Sequence, residues 1–285
     1  NGVAHRVIGV MPERFAFPIL QAAWIPLTID PLANPRGQGP SYGVIARLKP
    51  DVSLAHHSIV LHQGKVLAVL PTAEARQHYQ ADDTVDLPHH ALIPGLVNTH
   101  THAAMSLFRG LADDLPLMDW LQQHIWPAEA RWVNADFVRD GTRLAMAEML
   151  KGGTTCFSDM YFFPADTAHA AREAGMRAVV GLIMIDFPTA YAQTPAAYLE
   201  KGLVLHDALR NSELITTSFA PHAPYTVSDG PLEKIRTVNN ELNLPVHIHL
   251  HETAHEVDAA VAATGLRPLQ RLNGLDLVNP SLVAV

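Results

Sequence analysis

Cysteine is nearly missing from this 285-residue chain: the single Cys156 excludes an intrachain disulfide and a zinc site built from several thiolates. Basic residues are also short, 20 Lys and Arg against 28 Asp and Glu, and the net charge of −8 argues against nucleic acid as the main partner. No uninterrupted apolar run is long enough to span a bilayer, and no signal peptide opens the sequence, so a cytoplasmic location is expected. No Gly-x-Gly-x-x-Gly follows an expected strand, which argues against a dinucleotide-binding sheet. Charged residues make up only 17% against 48% apolar, a balance that excludes disorder and allows a sizeable core. The first residue is Asn1 and not Met, from which a processed product or a fragment is expected.

Histidine, by contrast, is abundant: 17 residues of the commonest metal-ligating type. Two of them close Leu92-Ile-Pro-Gly-Leu-Val-Asn-Thr-His-Thr-His102, an apolar run that reads as a strand entered through Pro94-Gly95. Side chains alternate along a strand, so His100 and His102 face one way and Thr101 the other. Two neutral imidazoles side by side at a strand end can chelate one divalent ion. A second cluster, Val246-His-Ile-His-Leu-His-Glu252, carries three histidines at strict alternation, all expected on one face. Only one of them needs to reach the ion. Glu252 then falls just past the strand end from His249, near the ion without having to bind it, where a carboxylate can move protons between water and substrate. The plainer reading, histidines filling a polar barrel interior, weakens once both clusters are taken together.

The remaining candidates are weaker. His222 in Ala220-Pro-His-Ala-Pro-Tyr225 is held between two prolines and could donate a hydrogen bond to a ligand, or be a plain loop histidine. Glu129, after Trp126-Pro127, reads on the sequence alone as a solvated carboxylate. Cys156 is expected in core packing, and His56, His57, His89 and His90 fall in linkers with no role.

Along the chain, residues 1 to about 54 are dense in Pro and Gly and read as a short β-rich piece. Ser58–Val69 reads as a hairpin turning at Gln63-Gly64, residues 72–81 as a helix, and Thr84–Leu87 as a further strand. A long connection follows His102 to about Ala135, a length that usually serves function, as a substrate lid does. Asn134 then caps a helix over Ala135–Lys151 that Gly152-Gly153 stops. Strands are predicted over Thr154–Met160, Arg177–Ile185, Leu214–Ala220, Pro245–His251 and Ser281–Val285, with helices between them. Such alternation without hairpins means a parallel sheet with right-handed crossovers. His100, His102, His222 and His249 all fall at C-terminal strand ends, where a barrel gathers its active site. The expected fold class is therefore α/β: a truncated (β/α)8 barrel of TIM type, about five and a half units, preceded by a small β-rich segment. The expected division is 1–55, 56–91 as part of a small β-sandwich, and 92–285 as the incomplete barrel.

Two resemblances add to this reading. His5-Arg-Val-Ile-Gly-Val-Met-Pro-Glu-Arg-Phe-Ala-Phe-Pro18, Trp24-Ile-Pro-Leu27 and Ala46-Arg-Leu-Lys-Pro-Asp-Val-Ser-Leu54 resemble the extracytoplasmic domain of macrolide-exporter ABC permeases, which implies a foreign segment joined near Ala55. Residues 57–285 resemble the amidohydrolase superfamily, and within it deaminases of 5-methylthioadenosine and S-adenosylhomocysteine. The motifs are Pro94-Gly-Leu-Val-Asn-Thr-His-Thr-His102, Phe108-Arg-Gly-Leu-Ala-Asp-Asp-Leu-Pro-Leu-Met-Asp-Trp120, Trp126-Pro-Ala-Glu129, Gly152-Gly-Thr-Thr155, Ala220-Pro-His-Ala-Pro-Tyr-Thr226 and His247-Ile-His-Leu-His-Glu-Thr253.

The second resemblance implies one divalent metal ion, typically zinc, with His100, His102 and His249 as ligands. It also implies Glu252 as the proton-shuttling acid, and Glu129 and His222 as contacts to a small-molecule nucleoside. The implied reaction is hydrolytic attack at C6 of adenine with loss of ammonia. The family's arginine contacts to the far end of the ligand find no match, so methylthio and homocysteine substituents both stay open. A guanine deaminase or triazine chlorohydrolase is the alternative among enzymes, and a non-catalytic transporter-derived module the alternative outside them. Neither nucleic acid nor, for the barrel part, a membrane is an expected partner, and an oligomer stays open. The family also has a histidine on the sixth strand, a metal-binding aspartate on the eighth, and a C-terminal half of the small β-sandwich. The sequence stops before them, so these 285 residues by themselves are expected not to catalyse.

Overall fold

A computed structural model describes residues 54–285 apart from 63–64 and 88–89, so the permease-like stretch before residue 54 and the turn at 63–64 lie outside the described residues. Contacts divide the described residues into two compact units, one ending before His90 and the other over residues 90–285. In the first, β1 (His57–His62) pairs antiparallel with β2 (Lys65–Pro71), Ser58 opposite Leu70, and α1 (Thr72–His78) follows. The strand expected over Thr84–Leu87 does not form, and Val85 is 76% exposed. A short apolar run becomes a strand only where a neighbour takes its backbone N–H and C=O groups, and among the described residues none does.

The second unit holds β3 (Leu96–Thr101), β4 (Thr154–Asp159), β5 (Arg177–Met184), β6 (Ile215–Pro221), β7 (Val246–Ile248) and β8 (Leu282–Ala284). All five pairings are parallel and the strand order is strictly sequential. A doubly wound sheet must reverse its order at a switch point. This one never does, and it is the curled wall of a TIM-type barrel with β3 and β8 at its edges. Val97 on β3 is 60% exposed.

The long connection after His102 is mostly helical, not a loop. A 3₁₀ turn over Ala103–Phe108 leads to α2 (Leu117–Trp120), a π turn over Leu121–Ile125, and α3 (Trp126–Trp132). Pro127 explains the π turn: it has no N–H to donate one turn back and its ring crowds the preceding carbonyls. The Trp126 N–H accordingly reaches five residues back, to Leu121 O. α4 (Ala135–Lys151) starts as its sequence dictates, with Asn134 Oδ1 accepting from Phe137 N–H at 3.0 Å, and ends at Gly153, whose φ of +86° suits glycine. Gly141 lets this helix lie against the 3₁₀ turn, since a Cβ there would stand 2.5 Å from Ala104 O. α5 (Pro164–Glu173), α6 (Pro195–Leu209), α7 (Asp229–Leu242), α8 (Ala254–Thr264) and α9 (Pro268–Gly274) complete the unit, α9 being a helix its sequence did not announce.

The strand expected over Pro245–His251 is cut to Val246–Ile248. The buried Glu256 carboxylate takes the N–H groups of His251 and Glu252 at 3.2 and 2.7 Å, and His251 turns to a φ of +58°. Those N–H groups are therefore lost to the ladder. Thr253 caps α8 by accepting from Glu256 N–H at 3.1 Å, so the turn is built by the helix that follows it.

Candidate metal centre

His100 at the end of β3, His102 just beyond it and His249 just beyond β7 converge, each offering a ligand atom within 4.8 Å of the other two. Their ring centroids lie 4.8 Å (His100–His102), 4.9 Å (His100–His249) and 5.1 Å (His102–His249) apart. Thr101 points the other way, as alternation requires, and donates to Asp159 Oδ1 at 2.9 Å. Asp159, 2% exposed at the end of β4, also accepts from Ala103 N–H at 2.7 Å and Thr167 Oγ1 at 3.4 Å. It thus pins the residues on both sides of His102. Burial pushes its carboxyl up to about 6 against the pull of these hydrogen bonds.

The hydrogen bonds settle which ring nitrogens are available. His102 Nδ1 lies 2.5 Å from Met160 O, and His249 Nδ1 lies 2.8 Å from His222 O. A carbonyl only accepts, so each Nδ1 carries the proton and each Nε2 a bare lone pair. Those two Nε2 atoms stand 3.2 Å apart. Two lone pairs facing at that distance repel unless a proton or a metal cation stands between them. Bonds of about 2.0–2.1 Å at a tetrahedral centre separate two nitrogens by about 3.3 Å, so the pair fits zinc. Burial first, then the neighbouring imidazoles, push His100 down to about 3 and His222 well below its ordinary value. His247 falls to about 4, and His102 and His249 are lowered too, again chiefly by burial. Neutral imidazole is the ligating form.

A cavity with room for about 70 Å³ opens beside this cluster, lined by His102, Glu129, His222, Tyr225, His249 and Glu252. Five of the six candidate residues thus share one cavity, and the sixth, His100, packs against two of them. Glu252 sits past the end of β7, and its charge acts on His102 and His249. The Tyr225 hydroxyl is hydrogen-bonded to it. His222 engages Thr226 Oγ1 through Nδ1 at 2.8 Å, which leaves Nε2 for a ligand. His251 departs from the expectation of three co-facing histidines: after its left-handed turn its Nε2 accepts from Leu269 N–H at 3.2 Å.

Glu129 is the second correction, because it is not a solvated carboxylate. Half-buried, it accepts from Tyr161 Oη at 2.8 Å, and burial pushes its carboxyl up to about 7 against that bond. With Trp126 and Phe162 it stands at the junction of the inner cavity and a larger one of about 600 Å³ walled by Phe163, Phe187 and Tyr191. The raised value has a consequence for stability. Between the ordinary value of 4.5 and about 7 the folded chain holds a proton that the unfolded chain releases, so this group's contribution falls as pH rises through that window. Glu129→Gln mimics the protonated form. Its melting temperature relative to wild type is expected to climb from pH 4.5 to 7 and then level off, read by calorimetry across pH; a flat difference would show an ordinary carboxylate.

Asp159 and Tyr161 escaped the sequence reading, while His247 was read only as one of three alternating histidines with no role of its own. The available signal was position: Ser158-Asp-Met-Tyr161 runs off the end of an apolar strand, as the histidine motifs do.

The model of the amidohydrolase family matches residues 91–285. A 5-methylthioadenosine/S-adenosylhomocysteine deaminase of Saccharophagus degradans is 54% identical over 238 residues, 83% of this chain and 53% of its own length. A 5'-deoxyadenosine deaminase of Methanococcus maripaludis is 46% identical over 198 residues, 69% of this chain and 46% of its own length. The crystal structure of an adenosine deaminase from Xanthomonas campestris with bound zinc matches at 53% identity and a TM-score of 0.79, over 81% of this chain and 53% of that one. The chain spans about half the length of the curated relatives it matches. These likenesses do not support the exporter-permease resemblance of residues 1–54.

Proposed function

The chain belongs to the amidohydrolase family, and from that premise we propose that it carries the histidine centre of a zinc-dependent hydrolytic deaminase of adenine nucleosides. The observation that carries the proposal is the pair of bare Nε2 atoms 3.2 Å apart on His102 and His249, beside His100 and Glu252 in one cavity. His100, His102 and His249 would hold the ion, which when bound activates water as a Lewis acid. The zinc-bearing adenosine deaminase at 53% identity supports the choice of metal, and the two deaminase relatives support the substrate class.

The residues divide the remaining work. Glu252 takes a proton from the attacking water and returns it to the amino group leaving C6, so that one water is consumed and one ammonia released. Glu129, as a carboxylate, accepts from the sugar hydroxyls, and its Tyr161 partner fixes its direction. His222 reaches the base through the nitrogen that Thr226 leaves unused. The aromatic outer cavity takes the 5' substituent and excludes water from it. 5-Methylthioadenosine and S-adenosylhomocysteine are the proposed substrates.

The test is to load the protein carrying this chain with zinc. It is then offered 5-methylthioadenosine, S-adenosylhomocysteine, guanine and a chloro-triazine in turn, with ammonia and chloride release followed. Ammonia from the adenine nucleosides alone is expected. Preference for guanine, or chloride release from the triazine, would replace the proposal with one of those rival activities.

A further inference from the structure

Two of the three proposed ligands hand their Nδ1–H to a backbone carbonyl, but His100 does not. Its Nδ1 lies 3.0 Å from Nε2 of His247, and His247 Nδ1 lies 3.3 Å from Ser158 Oγ. His247 is 1% exposed, sits on β7, and has no part in the reaction proposed above. We propose that His247 is a positioning residue. It accepts the Nδ1–H of His100 and so keeps the Nε2 lone pair of His100 turned to the metal, with Ser158 Oγ placed to accept the Nδ1–H of His247. This inference rests on the zinc reading of the site.

A neutral imidazole carries one N–H, and if that of His100 moved to Nε2 the ring could not ligate. A carbonyl settles the matter for His102 and His249 because it can only accept. An imidazole can accept or donate at either nitrogen, so its second partner matters. Ser158 Oγ, 3.3 Å from His247 Nδ1, can accept its N–H, and His247 Nε2 is then the acceptor. The chain of bonds then closes with one proton per ring, each in a bond: His100 Nδ1–H to His247 Nε2, and His247 Nδ1–H to Ser158 Oγ. It joins β3, β7 and β4, and β7 lies four places from β3 in the strand order, so only the curl of the sheet brings it within reach. Outer partners of this kind set the orientation and basicity of a metal-bound histidine.

The experiment compares zinc affinity, by competition with a chromophoric chelator, among the wild-type chain, His247→Leu and His247→Gln. The d–d absorption of the cobalt-loaded chains is recorded alongside. Leucine and glutamine fill a similar space, but only glutamine keeps an oxygen to accept from His100 Nδ1–H. His247→Leu is expected to lose about 10–100-fold in zinc affinity, with an altered cobalt spectrum, and His247→Gln to retain most of it. Equal affinity of His247→Leu and wild type, or an equal loss in both variants, overturns the proposal. Should His247→Leu fail to fold by circular dichroism, Ser158→Ala decides: weaker zinc binding supports the relay and unchanged binding overturns it. A wild-type chain that binds no zinc refutes the metal reading itself, a result distinct from these.

Discussion

In the whole protein that carries this chain, replacing Glu252 by Gln is expected to lower ammonia release from adenine nucleosides by about 10²–10⁴-fold, the usual worth of a positioned acid–base group. The substitution keeps the shape and one accepting oxygen but removes the site that takes a proton from water. It should leave the backbone in place, because the Glu252 N–H is held by Glu256 at 2.7 Å and the turn is capped by Thr253, neither of which needs the Glu252 side chain. Zinc content should also survive, since the ligands proposed are His100, His102 and His249. The measurement is initial rate against substrate concentration, with zinc determined on the same sample. A fall in kcat at constant KM places the effect in the transition state. A rise in KM alone would make Glu252 a binding contact, and unchanged turnover would remove it from the mechanism.

His249→Ala is expected to weaken zinc binding by more than about 100-fold, beyond the range seen when an outer partner of a ligand is removed. The control is His251→Ala, one strand period further along. On spacing alone the two histidines are equivalent, but the structure separates them. His249 turns its Nε2 to that of His102, whereas His251 accepts from Leu269 N–H at the start of α9. His251→Ala should therefore leave zinc affinity as it was and cost about 0.5–1.5 kcal/mol of stability, the worth of one hydrogen bond. Chelator competition gives the first quantity and denaturant unfolding the second. Equal losses of zinc in both variants, or a larger one in His251→Ala, would mean the centre is not where the three imidazoles converge.

What the amino-acid order determined by itself is what depends on near neighbours. The apolar run ending in His100-Thr-His102 carries its two-residue period within it, so the shared face of the two histidines was legible. Asn134 and Gly152-Gly153 mark helix ends through bonds that span only a few residues. The succession of strand and helix made the sheet parallel, and the absence of a glycine-rich turn left the barrel as the better architecture. Tertiary structure decided whatever needs a partner far along the chain. Three histidines alternate in Val246–His251, yet the strand ends at Ile248, and Glu256 claims the backbone donors of His251 and Glu252. His247 thus faces His100, His249 faces His102, and His251 leaves the cluster. Glu129 reads as an ordinary surface carboxylate until Tyr161, 32 residues on, closes over it. The tautomers of His102 and His249 were likewise out of reach of the sequence, because the carbonyls of Met160 and His222 place them from beyond the ends of other strands. Local periodicity settles which face a side chain occupies, but the proton on a ring is placed by whichever acceptor folding brings to it.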